Sequence, residues 1–206
     1  MAWSTEETKR RLMEAATAEF AARGLAGTTM EQIAKRAGIN KERLYNYFGD
    51  KQRLFATVLS EELGKVAAAV PIDVVRDEDA GEYAGRCFDY MAVHPELIRL
   101  LQWEALEYGD DEVPDEVGRT EHYRQKVDSF SKTQHGGALS GQSEAAHLFS
   151  PVLAVAQWWF TVPQIARMIT GAPARSRAER DRRRASVVEA ARRLTATTDP
   201  PSKTSP

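Results

Sequence analysis

Apolar residues recur through the first third of the chain at helical spacing, in short bursts closed by glycine or proline. Leu12, Ala16 and Phe20 lie four apart and mark one stripe of a helix that opens at a Ser4/Glu7 capping box and ends at Gly24. Met30, Ile33, Ala34 and Ala37 form a second, shorter apolar face, opened by Thr29 with Gln32 three residues on. Gly38 closes it, because glycine takes positive φ without steric cost. Ile39 is then a core candidate, and Asn40 is the N-cap of a third helix from about Lys41 to Phe48, whose apolar positions are Leu44 and Phe48. Asp50 can cap a fourth helix from Lys51, with Leu54, Phe55, Val58 and Leu59 inward, Leu63 at the edge of the stripe, and Pro71 as its breaker.

Asp79 to Tyr108 predicts two helices separated at His94-Pro95, proline fitting the first turn of the second. Leu97, Ile98, Leu100, Leu101, Trp103, Ala105 and Leu106 are apolar nearly all round, which predicts a helix buried in a bundle. The acidic stretch from Glu107 to Glu116 reads as a loop, and Val117 to about Gln134 as a more polar helix. A glycine-rich turn, HGGALSGQS, then leads to a helix capped near Ser143. From Glu144 to Gly171 the chain is at its most apolar. Pro151 is expected in or near the first turns there, and Pro163 divides a helix of about 144 to 160 from a shorter one restarted by Thr161 and Gln164. Ser176 with Glu179 opens a last helix carrying Val187, Val188, Ala191 and Leu194, and the tail from Thr195 has the composition of disorder. With no internal repeat and no strand-like alternation, the expected fold class is all-α.

On the third helix, at about 100° per residue, Glu42, Arg43 and Asn46 gather opposite Leu44 and Phe48, with Tyr45 and Tyr47 on the flanks. A helix of about two turns does not persist alone in water, so docking of Leu44 and Phe48 must hold it and leave its outer face free. Helix, glycine turn and short helix is the helix-turn-helix pattern, which lays its second helix in the major groove of DNA.

These residues also carry a family resemblance. The run from Thr8 to about Leu59, with AAxxxFAxRG at Ala15 to Gly24, TTxxxIAxxAG at Thr28 to Gly38 and LYxYFxxK at Leu44 to Lys51, resembles the DNA-binding domain of TetR-type transcriptional repressors. The resemblance implies an N-terminal three-helix helix-turn-helix domain over residues 1–50. A larger C-terminal helical bundle over 51–198 would serve ligand binding and dimerisation, with 199–206 a disordered tail. It also gives the exposed residues roles. Arg43 can fork onto guanine O6 and N7, Asn46 can pair with adenine N6 and N7, and Glu42 can accept from cytosine N4 or hold Arg43 in place. Lys41, beside the N-cap Asn40, reaches a base or phosphate. Tyr45, Tyr47 and Lys51 match positions that grip phosphates in the family, as do Thr28 and Thr29 through hydroxyls and a helix N-terminus. Many family members carry small residues where this chain has Glu42 and Arg43, so its reading helix is bulkier than usual. The same residues also fit a merely hydrophilic surface.

Charge sharpens this picture. The net charge of −2 conceals ten Lys/Arg against seven Asp/Glu from Thr5 to Phe55, and six against sixteen from Asp73 to Asp128. Basic residues focused on one face are what a nucleic-acid binder of acidic balance requires. Lys9, Arg10 and Arg11 suit either a solvated face or phosphate contacts. Eight arginines and three acids lie between Arg175 and Arg193, with the acidic 107–116 stretch or solvent as expected partners. The single cysteine, Cys87, excludes an internal disulfide and a multi-cysteine metal site. The start lacks a signal-peptide core, and no run approaches the ~20 apolar residues of a membrane span, so a soluble, cytoplasmic protein is expected. His94, His122, His135 and His147 have no metal-ligand spacing, and no catalytic constellation is visible; neither an enzyme nor a cofactor is expected.

The resemblance further implies a homodimer on a palindromic operator, double-stranded DNA being the main partner. In the family the last two long helices form the dimer contact, which points to Val152, Val155, Ala156 and Trp159 with Val187, Val188 and Ala191. The remaining helices would enclose a small-molecule effector, with Phe88, Met91, Trp103, Phe149, Gln157, Trp158 and Met168 as candidate lining and His94 and Cys87 as further polar contacts. The competing reading of both sets is ordinary core. A helical ligand-binding or protein-interaction module that does not use its helix-turn-helix on DNA is the alternative function.

Overall fold

Side-chain caps set where several of the helices begin. In the computed structural model, which describes residues 4–72, 79–133, 142–171 and 176–196, Ser4 Oγ accepts from the Glu7 amide at 3.1 Å and opens α1 (Thr5–Arg23). A complete capping box opens α2 (Met30–Ala37): Thr29 Oγ1 accepts from the Gln32 amide at 3.2 Å, and Gln32 Oε1 accepts from the Thr29 amide at 2.9 Å. The short α3 (Lys41–Phe48) follows, then α4 (Lys51–Ala69), whose Asp50 cap accepts from the Arg53 amide at 2.8 Å. Beyond lie α5 (Ala80–Val93), α6 (Pro95–Tyr108), α7 (Glu116–Thr133), α8 (Gln142–Thr161), α9 (Pro163–Thr170) and α10 (Arg177–Thr195), the last opened by Ser176 accepting from the Glu179 amide at 3.1 Å. The protein is all-α, with an N-terminal helix-turn-helix followed by a larger helical region; the described residues contain no strand. None of their helices is long and apolar enough to cross a membrane.

The chain divides into two compact units, Met1–Ala69 with Tyr90–Glu121 and Val70–Asp89 with His122–Pro206. In the first, α1 packs on α2, α4 and α6. Leu12, Phe20, Ile33, Leu44, Leu54, Phe55, Val58 and Leu59 are completely or almost completely buried there, and Phe20 meets Phe55 edge-on at 5.1 Å. Each such side chain contributes about 1.5–3 kcal/mol on removal from water. In the second, α8 packs on α10. Gly81 and Gly85 let α5 approach α10 closely: a Cβ on Gly81 would stand 2.7 Å from the Val188 carbonyl oxygen, and one on Gly85 2.9 Å from Val188 Cγ2. Ion pairs flank that crossing, Arg192 with Asp79 at 3.0 Å and Arg184 with Asp89 at 2.7 Å.

Several expectations are corrected. Pro151 lies in the middle of α8 rather than its first turns; the interruption is offset by burial of Phe149, Val152 and Ala156 on either side. Pro163 does begin α9, but the cap is Val162 without a side-chain bond, and Thr161 Oγ1 instead donates back to the Gln157 carbonyl at 3.1 Å. The end of α6 is not buried all round: Leu106 is 77 % exposed, while Glu104 is buried because Arg119 of α7 holds it bidentately at 2.6 and 2.9 Å. Among the described residues, α10 arginines pair with Asp79, Asp89 and acids of their own helix. Arg175, the glycine-rich turn up to Gly141, and the tail at 199–206 lie outside the described residues.

Candidate nucleic-acid interface

The reading helix is fixed at both ends and along one side. After α2, Gly38 takes φ 68 and ψ 31, a left-handed conformation open to glycine, and the Ile39 amide donates back to the Ala34 carbonyl at 3.0 Å. Arg11 of α1 donates to the Ala37 carbonyl from Nε at 3.2 Å and Nη2 at 2.9 Å, satisfying an acceptor at the helix end. Asn40 Oδ1 accepts from the Glu42 amide at 2.8 Å, and the Gly49 amide donates to the Tyr45 carbonyl at 2.8 Å. Between these caps Leu44 is fully buried and Phe48 half-buried, so Leu44 is the chief anchor. Lys41, Glu42, Arg43, Tyr45 and Asn46 are all exposed, as the helical spacing predicts.

Contacts on this face are sparse and cationic. Arg43 Nη2 donates to the Tyr47 hydroxyl one turn on at 3.4 Å, rather than pairing with its neighbour Glu42. The Lys9 ammonium of α1 stands 5.7 Å from the Tyr47 ring centroid, and that of Lys41 5.8 Å from the Tyr45 ring. The hydrogen bond from Arg43 pulls the Tyr47 phenol below its ordinary value; partial burial opposes this, and the Thr5 hydroxyl with the charges of Arg43 and Lys9 adds to it. Lys51 is half-buried in the first turn of α4.

Other candidates are spoken for. Thr28 is fully buried and its hydroxyl donates to the Glu19 carbonyl at 3.2 Å, so it secures the turn and does not present a hydroxyl to phosphate. Exposed Thr29 spends its side chain on the capping box. Arg10 is tied to Glu7 at 2.6 Å and Glu14 at 2.5 Å and Arg11 to the Ala37 carbonyl, while Lys9 faces Tyr47 of the reading helix. Sequence reasoning missed the braces behind the face. Buried Glu19 joins Arg23 and Arg36, the latter at 3.0 Å, tying α1 to α2. From α6, Arg99 Nε and Trp103 Nε1 both donate to the Ala21 carbonyl, at 2.5 and 3.3 Å. Glu19 and Arg23 stand one helical turn apart, but no local motif announces the other pairs, whose members lie far apart in the chain.

Comparison with known proteins agrees with this geometry. The family described as "Bacterial regulatory proteins, tetR family" matches residues 12–58, and "Tetracyclin repressor-like, C-terminal domain" matches residues 79–193. The chain is 41% identical over 189 residues to the HTH-type transcriptional repressor SCO4008 of Streptomyces coelicolor, covering 92% of this chain and 95% of that one. The protein belongs to the TetR family. It is a DNA-binding transcriptional regulator. Its fold is shared with the solved transcriptional regulator SCO4942 of Streptomyces coelicolor, at TM-score 0.72 and 30% identity over 91% of this chain and 97% of that one. The Bacillus subtilis regulator FadR, solved with stearoyl-CoA, has the same fold at TM-score 0.64 and 17% identity over 91% and 98% of the two chains.

In this TetR-family regulator the residues expected to line an effector pocket are divided between the two units. Phe88 and Phe149 are buried in the second unit in separate ring contacts, Phe149 lying 5.8 Å from Tyr83 and 5.2 Å from Phe130, and Phe88 5.0 Å from Phe160. Burial, and then Cys87, push the Tyr83 phenol up, while burial pulls the Lys126 ammonium down. Trp103 and Met91 belong to the first unit, Trp103 packed on Gly24. His94 stacks on Tyr90 at 4.2 Å and meets Glu96 at 3.1 Å. Gln157 is half-exposed, and Trp158 and Met168 are exposed on α8 and α9.

Of the expected dimer residues, Val152, Ala156, Val187 and Ala191 are buried where α8 and α10 pack. Val155, Trp159 and Val188 remain half-exposed. The guanidinium of buried Arg183 lies 4.8 Å from the Trp159 ring, its Nε donates to Glu179 at 2.9 Å, and its Nη2 has no partner among the described residues. Among those residues no group of three or more His, Cys, Asp and Glu is arranged to hold a metal ion.

Proposed function

We propose that this regulator is a cytoplasmic repressor that binds a palindromic operator as a homodimer and leaves it when a small molecule binds. Residues 1–50 carry the DNA contacts and 51–198 the dimer and effector functions. The observation that carries this reading is the outward face of α3, where Glu42, Arg43 and Asn46 stand exposed while Leu44 anchors the helix from behind. Lys41, Tyr45, Tyr47 and Lys51 border that face with phosphate-binding chemistry. One such helix reads few base pairs, and a two-fold pair reading half-sites about one helical turn apart supplies the rest. The buried, unsatisfied Nη2 of Arg183 beside half-exposed Trp159 supports a second copy seated against α8 and α10. The buried aromatic side chains of the second unit, Phe88 and Phe149 among them, support an apolar effector.

Selection of bound sequences from a random duplex pool tests the reading. An enriched palindrome spaced for two heads is the expected outcome, and the absence of any enriched sequence overturns it.

A further inference from the structure

Arg43 is long, exposed and flexible, and a base contact by such a side chain costs its rotamer freedom unless something holds it beforehand. The hold visible on this face is the Tyr47 hydroxyl at 3.4 Å. Tyr47 is itself restrained: its ring is half-buried beside Phe48, whose centroid is 6.2 Å away, and the Lys9 ammonium lies 5.7 Å from its own centroid. A phenol that accepts from a guanidinium still has its own O–H to give, and accepting a charge-assisted bond polarises that proton and strengthens it as a donor. Lys9 and Tyr47 also share a groove of about 640 Å³ with Gln52 and Arg53, whose one carboxylate, Asp50, is already engaged by Arg53 at 3.7 Å.

We propose that Tyr47 positions Arg43 for base readout, accepting from its guanidinium while donating its own proton to a backbone phosphate, and that Lys9 of α1 contacts the same stretch of backbone. The reading head is then a cluster drawn from two helices, α1 and α3. A phosphate grip alone would make Tyr47 blind to sequence; positioning makes its effect depend on Arg43. This inference rests on the assignment of Arg43 to base readout.

The experiment is a double-mutant cycle in the full-length protein, measured on a duplex enriched from a random pool and on an unrelated duplex. Tyr47→Phe keeps the ring and its packing. It is expected to weaken binding about tenfold more on the enriched duplex than on the unrelated one, within the coupling range of side chains in contact. In an Arg43→Ala background that selective part should vanish, leaving an equal loss on both duplexes. Lys9→Gln should reduce the slope of log K against log salt by about 0.9, the value for one phosphate, on both duplexes. Should Tyr47→Phe weaken both duplexes equally and additively with a selective Arg43→Ala, or Lys9→Gln leave the slope unchanged, the cluster is overturned while Arg43 keeps its role. An Arg43→Ala loss equal on both duplexes overturns the readout assignment itself.

Discussion

Substitution of Gly24 by alanine probes the joint between α1 and α6. Gly24 closes α1 with φ 72 and ψ −177, a conformation essentially confined to glycine, and holding another residue there costs about 1–3 kcal/mol. The added Cβ would also stand 2.6 Å from both Cδ2 and Cε3 of Trp103. That ring cannot easily retreat, because Trp103 Nε1 donates to the Ala21 carbonyl and Arg99 beside it donates to Ala21 and Ala22 at 2.5 and 3.3 Å. Overpacking of this kind costs a further ~1–3 kcal/mol, so Gly24→Ala is expected to destabilise by about 2–6 kcal/mol. Trp103→Leu relieves the collision but not the backbone. The double variant should therefore lose about 1–3 kcal/mol less than the sum of the single losses. Urea unfolding followed by circular dichroism measures all three, a shift in midpoint at unchanged slope marking a true stability change. A Gly24→Ala loss below about 0.5 kcal/mol, or strict additivity with Trp103→Leu, would refute the reasoning.

Arg43→Ala should cost about 1–3 kcal/mol on the preferred site and relax one base position, whereas Lys51→Ala should weaken all sequences alike and lower the salt slope by about one; competition binding at several salt concentrations separates them. Leu44→Ala removes a fully buried anchor and should cost about 2–5 kcal/mol in urea unfolding; a loss below ~1 kcal/mol would show that α3 is held otherwise. The hydrogen bond from Arg183, helped by Arg182 and opposed by burial, holds the Glu179 carboxyl below its ordinary 4.5. A depressed carboxyl contributes its stability in full above its unfolded value and loses it as pH falls through the folded one. The stability gap between the native protein and Glu179→Gln should thus be flat at neutral pH and close in acid below about pH 4.5; a gap that widens in acid contradicts the pairing.

What the sequence made legible was local. A cap is two residues three apart, and Ser4/Glu7, Thr29/Gln32 and Ser176/Glu179 all open helices where that spacing says. The glycine turn at Gly38 and the outward set on α3 follow from positive φ and helical periodicity. Less legible is whatever depends on a partner remote in the chain. Thr28 looks like a phosphate donor beside Thr29, yet its hydroxyl belongs to Glu19 nine residues earlier. Val152 and Val187 look like a dimer seam by periodicity, which cannot say whether an apolar stripe meets its own chain or another; in this chain both are buried where α8 packs on α10. Gly81 and Gly85 are a readable signal, since glycines four apart on a helix permit just the approach that α10 makes.

Those remote partners also decide what the reading helix can transmit. Three of the braces on the helix-turn-helix run to backbone carbonyls near helix C-termini: Arg11 to Ala37 of α2, Arg99 and Trp103 to Ala21 of α1. A donor aimed at a terminal carbonyl satisfies an acceptor that has no partner within its helix, and it constrains that helix's position without filling its core. α6 makes two of them, and its Glu104 is gripped in turn by Arg119 of α7, so a chain of polar contacts runs from α7 through α6 to the end of α1. The beginning of α1 carries Lys9, which stands over Tyr47. A rigid helix of 19 residues thus has one end in the α6 joint and the other on the DNA-facing side chains. Weakening the joint by Arg99→Ala should therefore change DNA affinity even though the hydrogen bonds of Arg99 run to the far end of α1 at Ala21 and Ala22, and an unchanged affinity in a variant of reduced stability would show that the two ends of α1 are mechanically independent.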